Sequence, residues 1–86
     1  MMSGDWGEVA VELNALLAET ASDLPQQDRE NVAGFIDVGE FGVAFETLCT
    51  QMYEYDVLPS PDARARLAAL GRRLELDPSY WEFFDG

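Results

Sequence analysis

Residues 39 to 56 read GEFGVAFETLCTQMYEYD. Phe41, Phe45, Leu48, Met52 and Tyr55 advance by 4, 3, 4 and 3 positions. Only a helix sets such a series on one face, because a strand would divide it between two. The stretch therefore predicts a central helix from about Glu40 to Tyr55. Its inner stripe includes Tyr55, with the ring buried and the hydroxyl at the rim. Cys49 and Met52 read as core, and Val43, Glu46, Thr47, Thr50 and Glu54 fall on the outer side, with Tyr53 on the flank.

Working outward, SDLPQQDRENVAGFIDVG (22–39) predicts a preceding helix. Ser22 or Asp23 stands near its start, Pro25 lies in the first turn where a missing N–H costs nothing, and Gly39 is a left-handed stop. Val32, Phe35 and Ile36 form its apolar side. Further upstream, Asp5 and Glu8 in DWGE have the spacing of a capping box. Trp6, Val9, Leu13, Leu16, Leu17 and Leu24 make an inward stripe, while Glu8, Glu12 and Glu19 make an outward acidic row.

Downstream, Ser60 caps a helix with Pro61 at its first position and Asp62 at the positive end of its dipole. Ala63, Leu67, Leu70 and Leu74 are its buried stripe, with Arg64, Arg66, Arg72 and Arg73 on the exposed arc and paired with nearby acids. Asp77 and Pro78 repeat the device before a short terminal helix that buries Trp81 and Phe84. Four helices plus a short fifth, joined by tight turns, predict an all-α fold. The expected form is a small antiparallel bundle of four helices with a short C-terminal helix, occupying residues 1–86 as a single domain.

Composition narrows what such a bundle can do. Of 86 residues, 17 are acidic and five are basic, all of them Arg, giving a net charge of −12. Residues 1–62 hold 13 acids and only Arg29, whereas residues 63–86 hold four acids and four Arg. Such a field repels nucleic acid and anionic membrane and attracts basic proteins. With 48% hydrophobic residues the charge sits on a folded body. A lone Cys49, the lack of a signal-type opening and the absence of a long apolar run predict a reducing, cytoplasmic setting with no membrane partner.

Catalytic chemistry is poorly served. Without His or Lys, and with one Cys beside an apolar stripe, the chain offers no zinc set, no cysteine–histidine nucleophile, no Schiff-base lysine and no phosphate loop with its lysine. Ser3, Ser22, Ser60 and Ser79 stand at or near helix starts, where capping accounts for them. Paired carboxylates need a concave site to shift one pKa, for which a chain this short has little room. No calcium-binding loop occurs. The expectation is a protein without catalytic activity, cofactor or metal, acting by binding another protein.

Gly39-Glu40-Phe41-Gly42, followed by Ala44, Glu46, Leu48, Cys49 and the closing YEYD, together with DPSYWEFF (77–84), resembles the MafI-type immunity proteins of bacterial polymorphic-toxin systems. The resemblance covers roughly residues 35–84. It implies a cytoplasmic inhibitor that binds the toxic C-terminal domain of a secreted toxin, often a nuclease, whose basic cleft would complement an acidic surface. The exposed side and two ends of the central helix supply the partner-binding candidates Asp37, Glu40, Glu46, Tyr53, Glu54 and Asp56. Two other readings remain open from the residues: an acidic nucleic-acid mimic that inhibits DNA-binding proteins, and a helical adaptor without inhibitory action.

Overall fold

The computed structural model describes residues 3–82 and 84, with side chains from Trp6 onward apart from that of Ala21. Five α-helices follow one another: α1 (Ser3–Thr20), α2 (Gln26–Asp37), α3 (Phe41–Glu54), α4 (Pro61–Arg73) and the single-turn α5 (Ser79–Glu82). A 3-10 turn, Ala21–Asp23, lies between α1 and α2. No strand occurs among the described residues, and the fold is the small all-α bundle that the apolar periodicity predicts. Helix α1 packs against α2, α3 and α4, α2 against α3, and α5 against α3 and α4. The radius of gyration, 11.9 Å, matches the roughly 12 Å of a compact chain of this length.

One core cluster joins all five helices, and its centre is α3. Ala44, Phe45, Leu48, Cys49 and Met52 are buried there, facing Val9, Leu13 and Leu16 of α1, Val32 and Ile36 of α2, and Leu67 of α4. Trp81 of α5 meets Phe45 edge to face, with ring centroids 5.8 Å apart. It also packs against Gly71 of α4, where a Cβ would clash with the indole carbons. Thr20, buried at the end of α1, turns its hydroxyl back to the carbonyls of Leu16 and Leu17.

Three reversals share one hydrogen-bond pattern. After α2, Gly39 adopts φ +81°, with Glu40 N–H bonded to the Phe35 carbonyl and Gly39 N–H to that of Ile36. After α3, Asp56 (φ +55°) plays the glycine's part, with Val57 N–H on Met52 and its own N–H on Tyr53. After α4, Glu75 (φ +59°) does so again, through Leu76 to Gly71 and its own N–H to Arg72. These are Schellman closures, and two of them hold an acidic residue in the left-handed region that glycine occupies freely.

Helix starts agree with expectation at α4 and α5. The Ser60 side chain accepts from Ala63 N–H at 3.1 Å, and Asp77 accepts from Ser79 N–H at 2.9 Å. The start of α2 differs. It begins at Gln26, with Pro25 as the N-cap and without a side-chain cap, because the residue before a proline is disfavoured in the helical region and Leu24 therefore stays outside. Helix α1 already runs through Asp5 from Ser3, so Asp5 is not its N-cap; the Asp5 side chain lies outside the described set, and Glu8 is engaged by Arg73.

Two aromatic assignments are corrected. Tyr55, expected on the buried stripe, is the C-cap of α3 and 48% exposed. At that point the chain is leaving the helix, so the 3.6-residue period no longer governs where the side chain goes. The Asp28 carboxylate of α2, beside its hydroxyl, instead raises the tyrosine pKa. Trp6, expected inward, is also 48% exposed and stacks on Phe41 at 5.6 Å, capping the bundle end rather than entering the core.

Candidate functional site

The acidic sequence folds into two electrostatically different sides. On the first, two of the four arginines of α4, Arg66 and Arg73, return to carboxylates of α1, while Arg64, expected to pair with an acid, donates to the Phe84 carbonyl instead. Arg66 bonds Glu12 at 2.9 Å, Glu19 at 2.7 Å and Asp62 at 3.1 Å, and Arg73 reaches Glu8 at 3.2 Å. Glu12, then Glu19 and Asp62, hold the Arg66 guanidinium firmly protonated. The outward acidic row of α1 is thus paired with a segment 47 to 65 residues away in sequence.

The second side is built by α2 and α3. Residues 23–56 contain Asp23, Asp28, Glu30, Asp37, Glu40, Glu46, Glu54 and Asp56 against Arg29 alone. Among the described residues none of these eight carboxylates joins an arginine. Asp28 lies beside the Tyr55 hydroxyl, and Glu30 accepts from Gln26 at 2.8 Å. All six partner-binding candidates lie on this side or at its ends.

Their arrangement is a ridge with a denser end. Asp37 and Glu40 are exposed at the turn that enters α3, and Tyr53, Glu54 and Asp56 are exposed where it leaves. About 20 Å of helix separates the two groups, at 1.5 Å per residue. Glu46, expected to project fully outward, is half-buried instead. Its position one turn before Cys49 brings its charge near the core, and burial together with that charge pushes the Cys49 thiol up to about 12. This thiol stays protonated and inert at neutral pH.

The exit end also carries a feature that the periodicity did not reveal. Met52, Tyr53, Asp56, Val57, Leu58 and Phe84 line an open groove of about 200 Å³. Leu58 is 70% exposed and Tyr53 is 64% exposed. Phe84 is held in place as a wall by Arg64, whose Nη1 donates to its carbonyl at 3.0 Å. The cue available in sequence was Val57-Leu58-Pro59, an apolar run placed after a helix stop, yet chain separation hid the contribution of Phe84.

No group of three or more His, Cys, Asp or Glu side chains converges as a metal site among the described residues. No helix there is long and apolar enough to cross a membrane. Comparison with known proteins finds no matching family model, no similar curated protein and no similar solved structure. What the residues define is a small all-α bundle with one unopposed acidic side.

Proposed function

We propose that the protein is an immunity-type inhibitor that binds and neutralises the toxic C-terminal domain of a cognate secreted toxin, a basic nuclease domain, in the cytoplasm and without chemistry of its own. The observation that carries this reading is the segregation of charge. Arg66 and Arg73 of α4 are engaged by α1 and Asp62, whereas the carboxylates of α2 and α3 face outward without such partners among the described residues, available to a basic protein. The resemblance of residues 35–84 to MafI-type immunity proteins supports the same conclusion.

Spacing favours a protein partner over nucleic-acid mimicry. Along α3, Glu40, Glu46 and Glu54 are separated by steps of roughly 9 and 12 Å, while a nucleic-acid strand presents a phosphate for about every 3.4 Å of its axis. A sparse ridge with a dense end suits a local protein contact better than imitation of a continuous backbone.

The test is co-expression with a toxin domain encoded beside the gene, together with association rates over a range of salt. Wild type is expected to protect the cell and to associate more slowly as ionic strength rises. Reversal of Glu40 and Glu54 together to Arg is expected to keep the helical circular dichroism signal and to weaken binding by several kcal/mol, as like charges facing across an interface do. Full protection by that folded double variant would reject the acidic ridge as the inhibitory surface.

A further inference from the structure

We propose that the groove at the exit of α3 is the anchor pocket of the interaction, receiving one aliphatic or aromatic side chain from a basic segment of the partner, with arginine or lysine on either side of that anchor. This rests on the reading of the protein as an inhibitor of a basic domain and adds where, and by what chemistry, it grips.

The groove combines two properties, an apolar lining and an acidic edge. Its floor and walls are apolar, from Met52, Val57, Leu58 and Phe84, while Asp56 stands on its rim and Glu54 on the same exit turn. An enclosed cavity of ~150 Å³ admits a benzene ring. About 200 Å³ of open groove therefore accepts one ring or branched chain, and it falls below the ~300 Å³ at which small-molecule sites begin.

Exposed Leu58 and Tyr53 are apolar and amphipathic surface that the fold leaves in water, as interface anchors are. The occupant's charge follows from the groove's edge, where Asp56 lines it and Glu54 is exposed on the same turn, while Arg64 is engaged at the Phe84 carbonyl. A second copy of this chain, with net charge −12, would bring like charge to the same place. The wall is also fixed in advance: Arg64 pins Phe84, and the Schellman closure at Asp56 pins Val57, so little ordering remains to be done on binding.

The experiment is an amide NMR titration of the full chain with three synthetic hexapeptides at up to millimolar concentration. One places Leu-Trp between two pairs of arginines, the second replaces Leu-Trp by Gly-Ser, and the third replaces the arginines by glutamates. The first is expected to shift the amides of residues 52–58 and 84, with the other two at least tenfold weaker. Leu58→Ser, on an exposed position that leaves the core intact, is expected to weaken the first peptide about tenfold and to weaken a toxin domain that the wild type binds by about 30-fold, the loss typical of an interface hot spot.

Equal binding of the Gly-Ser peptide, shifts centred on α2, or no shifts at all would overturn the pocket. So would a Leu58-dependent dimer in sedimentation equilibrium, which would assign the groove to a second copy. If Leu58→Ser binds the toxin domain with full affinity, the pocket fails while the inhibitor reading stands. If the peptide binds as expected but wild type protects no cell from the toxin, the inhibitor reading fails while the pocket stands.

Discussion

The α1–α4 side and the α2–α3 side begin with the same material, acids spaced along amphipathic helices, and end with opposite characters. On the first, four carboxylates are gathered by Arg66 and Arg73. On the second, eight carboxylates stand against a single arginine, Arg29, and among the described residues none of them joins it. Exposed ion pairs each contribute only ~0–1 kcal/mol, so the consequence of the first arrangement is less its stability than its removal of charge from α1. The arginine-free carboxylates are thereby concentrated on two helices and their connecting turns.

The largest expected effect ignores the division. Phe45 is fully buried at the centre of α3 and touches Trp81 edge to face, so both sides depend on it. Phe45→Ala is expected to cost about 3–5 kcal/mol in denaturant unfolding. A loss below 1 kcal/mol would mean that the two sides do not share one core.

Gly71→Ala comes next. Its new methyl group would have to displace the Trp81 indole, at a cost of about 1–3 kcal/mol and with a change in tryptophan fluorescence. Unchanged stability and emission would show that α5 does not close the bundle by seating Trp81 on α4.

Arg66→Met sharpens the comparison directly. The apolar stem is kept and the guanidinium is lost, releasing Glu12, Glu19 and Asp62. Thermal melts are expected to show a loss of about 1 kcal/mol that shrinks as salt is raised. The paired variant on the other side, Glu54→Gln, removes a charge with no arginine partner and is expected to leave stability unchanged or slightly raised. Equal losses from both would erase the distinction between the sides.

The smallest effect has the opposite sign. Asp56 holds a left-handed backbone, so Asp56→Gly relieves that conformation and is expected to raise stability by up to about 1 kcal/mol while weakening partner binding. A gain in stability with binding unchanged would detach Asp56 from the interface and confine the ridge to Asp37, Glu40, Glu46, Tyr53 and Glu54.

Much of the bundle could be read one residue at a time. The stripe of α3, the Ser60 cap with Pro61, the Asp77 cap and the Gly39 stop all appear where local chemistry places them. Misreadings gathered at helix ends. Tyr55 and Trp6 kept the helical period in sequence but stand where the helix surface is no longer covered, and Leu24 could not enter α2 because Pro25 follows it. The left-handed Asp56 and Glu75 carried no glycine to announce them; the closure is set there by where the chain must turn to return its next apolar residue to the core.

For the candidate surface the division is similar. Sequence alone determined that residues 1–62 are acidic, that the arginines are concentrated near the C-terminal end, and that α3 turns an amphipathic face outward, because charge and periodicity are local quantities. Only the tertiary structure decided which acids remain unopposed, by laying α4 along α1 so that Arg66 and Arg73 meet partners more than 40 residues away. It also half-buried Glu46 and brought Phe84 beside Tyr53 and Leu58 to make a groove. Ion pairing and concavity depend on distance in space, and distance in space is fixed by how the helices pack.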